Sequence, residues 1–455
     1  MSIFQVVDPA TGVAGEPYPM LSAQALAQAL DDMEPAAAAW RDHAADDRGR
    51  LLLRLADVLE SQREALATRV TAEMGKLIKE SRAEVDKCVW ACRYFAEHGP
   101  AMLDDESIAS DASRSYISWQ PLGIVLAIMP WNFPLWQVLR CAIPAFVTGN
   151  TIALKPAANV PGCALALERC FHAAGFPEHV FRVLLISHEQ TRELIADRRI
   201  AALAVTGSAA AGRQIAALAG QHLKKTVLEL GGSDPFIVLE DADLDATVHT
   251  AVVSRFMNAG QSCNAAKRFI VVKPIAEVFM KRFRRAVERL VIGPPLEEDT
   301  TLAPMARADL RDQLHQQVLR SIDAGAVVAT GCRPAEHHGI FYLPSILDHV
   351  TPGMPAHDEE LFGPVAAVIR VPDEQTAIEI ANSTQYGLGA SIWTTDVERG
   401  EQMARRIAAG NVFVNGLVKS DPRLPFGGIK DSGYGRELSY IGVREFVNVK
   451  TIWIK

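Results

Sequence analysis

Hydrophobic positions recur at helical spacing through the first hundred residues. Leu51, Leu52, Leu55, Val58, Leu59, Leu66 and Val70 trace an apolar stripe. Residues 80–98 read as a further helix, with Cys88 and Cys92 four residues apart on one face. From residue 124 the rhythm changes. Short apolar runs at 124–129, 151–154, 183–186, 202–205 and 226–230 alternate with helical stretches at 135–147, 160–174, 190–198 and 210–218. Strands this short and apolar, separated by helices, predict a parallel sheet covered on both faces, the dinucleotide-binding type of architecture. A second α/β region begins near Gly231. It holds a helix at 244–257 capped by Asp241 or Asp243, a strand at 269–272 and a basic-faced helix at 275–290. Further strands are expected at 326–329, 365–371, 389–393 and 412–415. Residues 113–120 and 446–454 alternate like extended arms, which suits subunit pairing or two ordinary edge strands.

A chain of 455 residues exceeds one ordinary core, so two or three domains are expected. An apolar share of 49% with 22% charged residues fits a soluble globular protein. The net charge of −8 and the lack of a basic run argue against nucleic acid or an anionic membrane surface as a partner. No apolar stretch reaches the roughly 20 residues of a membrane helix. The N-terminus lacks the build of a signal peptide. Seven cysteines at irregular spacing do not form a disulfide framework, so a reducing cytoplasm is expected. Cys88 and Cys92 have no evident companion ligands, which favours two small buried side chains over a metal pair. No metal site is expected.

Chemistry concentrates where the apolar runs end. Asn132, between two prolines in Pro130-Trp131-Asn132-Phe133-Pro134, offers uncharged donors suited to an oxyanion, or a helix cap. Lys155 follows the second run and suits ribose hydroxyls or phosphate. Gly207 and Ser208 open a helix with Gly212 on its first turn, as at phosphate-binding helix N-termini, although the spacing departs from G-x-G-x-x-G. Glu229, before Leu230-Gly231-Gly232, is a carboxylate at a cleft mouth or a turn cap. Each is weak alone. Together they place an Asn, a Lys, a Gly-Ser pair and a Glu on one sheet edge. A downstream loop, Gly260-Gln261-Ser262-Cys263, adds a cysteine.

These motifs, with Glu360-Leu361-Phe362-Gly363-Pro364, Val414-Asn415-Gly416 and Pro425-Phe426-Gly427-Gly428-Ile429-Lys430, resemble the signatures of the aldehyde dehydrogenase superfamily along essentially the whole chain. Within it the chain is most similar to bacterial succinate-semialdehyde dehydrogenases, on segments such as 96–103, 135–138, 230–239 and 265–270. The resemblance implies a cofactor-binding domain at 1–112 and 122–230, a catalytic domain at 231–435, and a small β oligomerisation arm at 113–121 and 436–455. It implies a homodimer or a dimer of dimers.

The resemblance also implies the chemistry. Cys263 attacks the aldehyde, Asn132 holds the oxyanion, and Glu229 activates the water that hydrolyses the thioester. Trp131, Asn132, Lys155, Ala158, Gly207, Ser208, Gly212, Leu230, Glu360 and Phe362 would line the path of NADP or NAD. Relatives that favour NAD often place a Glu at the position of Ala158, so acceptance of NADP is expected. Trp136, Arg140 and Ser420 are the expected substrate residues. Arg140 lies two turns after Asn132, roughly 11–12 Å along the helix, where the resemblance places an Arg that binds a distal carboxylate. A second such Arg of some relatives falls at Met257, and Arg140 could instead pair with a structural carboxylate. Succinate semialdehyde, with glutarate semialdehyde beside it, is the expected substrate. A broad-range or neutral-aldehyde enzyme is the rival reading, and a non-enzymatic structural or binding member the distant one. Acyl-CoA-forming relatives typically lack the Glu that Glu229 provides.

Overall fold

The computed structural model describes residues 2–336 and 339–455. Two sheets carry the chemistry. The first is six-stranded, in the order Gly433–Tyr434, Lys225–Glu229, Ile200–Thr206, Ile124–Ile128, Thr151–Lys155 and Phe181–Val183. Its neighbours run parallel except at the Gly433–Tyr434 edge. The central strands are buried almost throughout, because helices cover both faces. From Ile124–Ile128 the chain moves outward through two strands, then returns on the other side as Ile200–Thr206. That reversal opens a crevice at the carboxyl ends of the strands.

The second sheet has seven strands, in the order Val327–Thr330, Ser345–Asp348, Val365–Val371, Ala266–Val272, Asp234–Val238, Gly389–Trp393 and Asn411–Val414. All pair in parallel except the Val327–Thr330 edge. Two of the expected strands, at 365–371 and 389–393, appear with the same bounds. Asp243 caps the helix Leu244–Phe256, accepting from Asp245 and Ala246.

The structure departs from the sequence pattern most informatively at three of several places. The third strand is Phe181–Val183 rather than 183–186. It is a sheet edge, and the chain leaves it at once for Ser187, which forms a reciprocal cap with Gln190. A hairpin of Ile3–Val7 and Ala14–Pro19 precedes the helices of the first hundred residues. Asp234–Val238, in the middle of the second sheet, is not apparent from the pattern. Its Pro235 removes a ladder donor, which argues against a central strand. The register shifts between Asp234 and Pro235, and this bulge accommodates the missing N–H.

The helix Ile78–His98 packs on Ala45–Ser61, Arg63–Met74 and Trp136–Thr148. Cys88 and Cys92 are fully buried on it, and burial pushes both thiols up. Every residue of Trp136–Thr148 is buried. Its N-terminal amides, Leu135 and Trp136, both donate to Glu84 at 2.9 Å, and Glu84 also pairs with Lys76. A third sheet pairs Arg114–Pro121 with Val447–Ile454 on one side and Glu106–Ser107 on the other, both antiparallel. Just before it, Leu438, Val443 and Phe446 join the core of the first sheet. No described helix is long and apolar enough to cross a membrane.

Candidate active site

The crevice of the first sheet opens into a cavity of about 450 Å³. Pro130, Trp131 and Asn132 enter it from beyond Ile124–Ile128. Thr206 to Ala210 enter from beyond Ile200–Thr206, and Glu229 to Gly231 from beyond Lys225–Glu229. Cys263, Glu360 and Phe362 come from the second sheet's side. Residues far apart in sequence thus meet: those of the first sheet sit at the carboxyl ends of its strands, while Cys263, Glu360 and Phe362 lie on loops just before Ala266–Val272 and Val365–Val371.

The cysteine loop is unusually constrained. Asn258, Ala259 and Gly260 all have positive φ, at 54°, 51° and 71°. Such runs are strained for residues other than glycine and persist only where neighbours over-determine them. Here they do. Arg255 is fully buried and donates to the carbonyls of Gly260 and Ala266. The Asn258 amide donates to the Asn132 carbonyl at 2.9 Å and to the Gln261 carbonyl at 3.2 Å. A Cβ on Gly260 would come within 2.4 Å of the Gly363 carbonyl, so only glycine fits. Lys267 donates to the carbonyls of Ser262 and Cys263 and pairs with Glu360 at 3.0 Å.

Asn132 is buried, and one hydrogen of its amide goes to the Gln261 carbonyl at 3.0 Å. The other remains available for an oxygen beside Cys263. Glu229 is buried too, and neither of its carboxylate oxygens accepts a hydrogen bond from the described residues. Gly427 explains part of the fit: a Cβ there would lie 2.6 Å from Glu229 Oε1. Burial, above all, pushes the Glu229 carboxyl well above its usual range. Burial likewise pushes the Cys263 thiol up to about 11, against the pull of Arg140 and Lys267. The resting cysteine is therefore a protonated thiol at neutral pH. Thiolate is the reactive form, and its fraction grows as pH climbs toward that value. Iodoacetamide modification of Cys263, followed by peptide mass spectrometry, should accelerate about tenfold per pH unit between 7 and 9. A plateau below pH 8 would contradict the environment described.

The remaining lining suits a dinucleotide. Ser208 caps the helix Ala209–Gln221 and accepts from Ala211, while Ala209 and Ala210 face the cavity. A helix N-terminus favours phosphate oxygens. At Gly207 a Cβ would meet nothing within 4 Å, whereas at Gly212 it would strike Leu230 at 2.5 Å. The first glycine leaves the cleft open, and the second lets Leu230 pack against the helix. Trp131 and Phe362 meet edge to face at 5.9 Å, and Glu360 accepts from the Gly232 amide at 3.1 Å. Lys155 and Ala158 lie one strand further along, since Lys155 pairs with Ile128 on the side away from Ile200–Thr206. Lys155 is buried, which lowers its pKa, and Ala158 is exposed.

A second cavity of about 480 Å³ lies behind this one. Gln137 lines both. Asn132 and Cys263 line the first, and their chain neighbours Phe133 and Asn264 line the second, so the cysteine stands in the wall between them. Trp136, Arg140, Ser420 and Met257 also line the second cavity.

The chain matches the model of the aldehyde dehydrogenase family over residues 2–452. It belongs to that family. It is 46% identical to the succinate semialdehyde dehydrogenase (NAD(P)+) Sad of Escherichia coli, across 98% of this chain and 97% of that protein. It is 44% identical to succinate-semialdehyde dehydrogenase (NADP(+)) 1 of Mycobacterium tuberculosis, across 98% and 99%. The crystal structure of succinic semialdehyde dehydrogenase from Streptococcus pyogenes, in complex with NADP+ as the cofactor, superposes with a TM-score of 0.97. It is 36% identical, over 99% of each chain. The expected aldehyde dehydrogenase fold is thus the observed one, and the protein is an aldehyde-oxidising enzyme.

The structure also brings in residues the sequence did not single out. Glu437 pairs with Arg140 Nε, and Glu229 Oε2 lies 3.8 Å from Arg140 Nη2. Burial opposes the charge on Arg140, but these two carboxylates more than offset it. Glu437 follows a glycine-rich turn that gives no hint of a buried ion pair. Arg255 points from its helix into the cysteine loop. Lys87 reaches the second cavity from Ile78–His98.

Proposed function

We propose that this enzyme oxidises succinate semialdehyde to the dicarboxylic acid with NADP or NAD, using Cys263, Glu229 and Asn132. The observation that carries the reading is the placing of Cys263 in the wall between two cavities, one suited to a dinucleotide and one lined by cations. Curated relatives of 44–47% identity bear succinate-semialdehyde dehydrogenase names over nearly their whole lengths, which supports the same substrate.

In this mechanism the aldehyde enters through the second cavity. Cys263 Sγ gives up its proton to solvent and bonds to the carbonyl carbon, whose π pair moves to oxygen as the thiohemiacetal oxyanion forms. The free amide hydrogen of Asn132 and the Cys263 backbone N–H stabilise that charge. A bound nicotinamide cofactor would supply the hydride acceptor that conversion of a thiohemiacetal to a thioester requires. Glu229 then removes a proton from water, which attacks the thioester carbon and releases the acid from Cys263. Glu360 and Phe362 would hold the nicotinamide ribose and ring side. Trp131, Lys155, Ala158, Gly207, Ser208, Gly212 and Leu230 would line the remaining cofactor path. Trp136, Arg140 and Ser420 would shape the substrate side.

The domain division belongs to this proposal: cofactor binding at 1–112 and 122–230, catalysis at 231–435, and subunit pairing through 113–121 and 436–455. Val449, Trp453 and Ile454 are exposed apolar residues on the arm, which supports a homodimer or dimer of dimers. A cytoplasmic location is part of the same reading.

The test is a set of initial rates on succinate semialdehyde, glutarate semialdehyde and butanal, each with NADP and NAD. The acidic aldehydes should give the higher kcat/KM, and NADP should be accepted. Exposed Ala158 offers no carboxylate to repel a 2′-phosphate, so Ala158→Glu should shift the NADP/NAD ratio of kcat/KM toward NAD. A wild-type enzyme that rejects NADP would defeat the cofactor assignment. Equal kcat/KM for butanal and the acids would favour the neutral-aldehyde reading.

A further inference from the structure

The backbone N–H of Cys263 is one of the two oxyanion donors in the mechanism above, and it is aimed by the peptide between Ser262 and Cys263. That peptide is trans, so its N–H points opposite to the Ser262 carbonyl. Whatever fixes the carbonyl therefore fixes the donor. The N–H itself has no acceptor among the described residues, which leaves it free for an incoming oxygen.

Lys267 fixes the carbonyl. Its side chain is 1% exposed, and its ammonium donates to the Ser262 carbonyl at 3.0 Å and to the Cys263 carbonyl at 2.5 Å. The third direction is taken by Glu360, whose Oε1 lies 3.0 Å away and also accepts from the Gly232 amide. Three protons meet three acceptors, the condition under which an ammonium can be buried. One cation thus holds both peptide planes that flank the nucleophile. Two glycines make room for the arrangement: a Cβ on Gly231 would collide with Glu360 Oε2, and one on Gly232 would lie 2.8 Å from the Cys263 carbonyl oxygen. The left-handed run that precedes the cysteine is already braced by Arg255 and Asn258, so the path of the loop does not require Lys267. What the ammonium adds is the tilt of the last peptide. It also draws electron density onto the carbonyl oxygen, which makes the N–H at the other end a stronger donor.

We propose that Lys267 is a positioning residue for the oxyanion hole: it sets the Ser262–Cys263 peptide so that the Cys263 N–H faces the aldehyde oxygen, and Glu360 in turn sets Lys267. The inference rests on the cysteine mechanism proposed above and not on which aldehyde is bound.

The experiment compares wild-type enzyme with Lys267→Met, measuring kcat and KM for succinate semialdehyde and butanal. Removing an oxyanion donor outright costs about 10²- to 10³-fold, so misaiming one should lower kcat about 10- to 100-fold. KM should stay near the wild-type value, and the loss should be equal for the two aldehydes, because the oxyanion forms at the end they share. NADPH binding, followed by fluorescence, should persist. Iodoacetamide modification of Cys263 at pH 8 should slow about three- to tenfold, since a positive charge that favours the thiolate is gone. A loop that had merely loosened would expose the thiol and react faster, which would overturn the proposal. So would a kcat within about threefold of wild type, a loss carried by KM, or a loss confined to one aldehyde. Should Lys267→Met fail to bind NADPH, Lys267→Gln gives the same comparison, and loss of binding in both makes Lys267 a residue of the fold and overturns the proposal. Retained turnover in Cys263→Ala overturns the mechanism itself, whereas an active Lys267→Met beside an inactive Cys263→Ala overturns only the role of Lys267.

Discussion

Replacing Cys263 with alanine is expected to lower the dehydrogenase rate on the order of 10⁴- to 10⁶-fold, as loss of a covalent nucleophile does. No neighbour can stand in for it. The other six cysteines are buried, and only Cys263 reaches the cavity walls. Cofactor affinity should change little, because the residues that would hold phosphate and ribose lie on other strands and loops. Equilibrium titration of NADPH fluorescence with Cys263→Ala separates the two effects. A variant with more than about a hundredth of wild-type turnover would remove Cys263 from the mechanism. The fold should survive the change, since the loop is held by Arg255, Asn258 and Lys267 through backbone carbonyls rather than through the thiol.

Glu229→Gln should produce a different failure. General-base catalysis contributes about 10²- to 10⁴-fold, and here it acts after the acyl group has formed. Rapid mixing should show a burst of reduced cofactor near one equivalent per site, followed by turnover slowed by about that factor. Gln has nearly the same shape as Glu, so Gly427 can still pack against it. What Gln lacks is the carboxyl group that can take a proton from water, and Glu437 remains as the direct partner of Arg140. A steady-state rate like that of the wild type at neutral pH would show that another group activates water.

Much of this architecture was legible in the order of residues. Helix-covered strands must be apolar on both faces, so runs such as 124–129 and 365–371 announce themselves. The site residues that end those strands were legible for the same reason: a polar residue at the close of an apolar run has only the sheet edge to occupy. What escaped were features decided by tertiary partners. Asp234–Val238 was hidden by Pro235, whose missing donor is absorbed by a shift in register. Lys87 sits on an amphipathic helix, where one more lysine looks like solvent-facing charge. Only the packing of Ile78–His98 against Trp136–Thr148 turns it inward. Glu437 and Arg140 lie almost 300 residues apart, and nothing local marks them as partners. The direction of Arg255 depended on the three left-handed residues after its helix, a conformation that Asn258 and Ala259 do not advertise.

The placement of the cysteine between two cavities has a consequence for the order of events. Asn132 and Cys263 face one chamber while the residues next to them face the other. The molecule is thus a passage with two doors and a single point of exchange. On the proposed function each ligand would have its own door, so neither would wait for the other to leave. A bulky molecule lodged at the aldehyde door should then be no rival of the nucleotide at its own entrance. The partition also keeps the traffic of carbon and the traffic of electrons separate everywhere except at one sulfur atom.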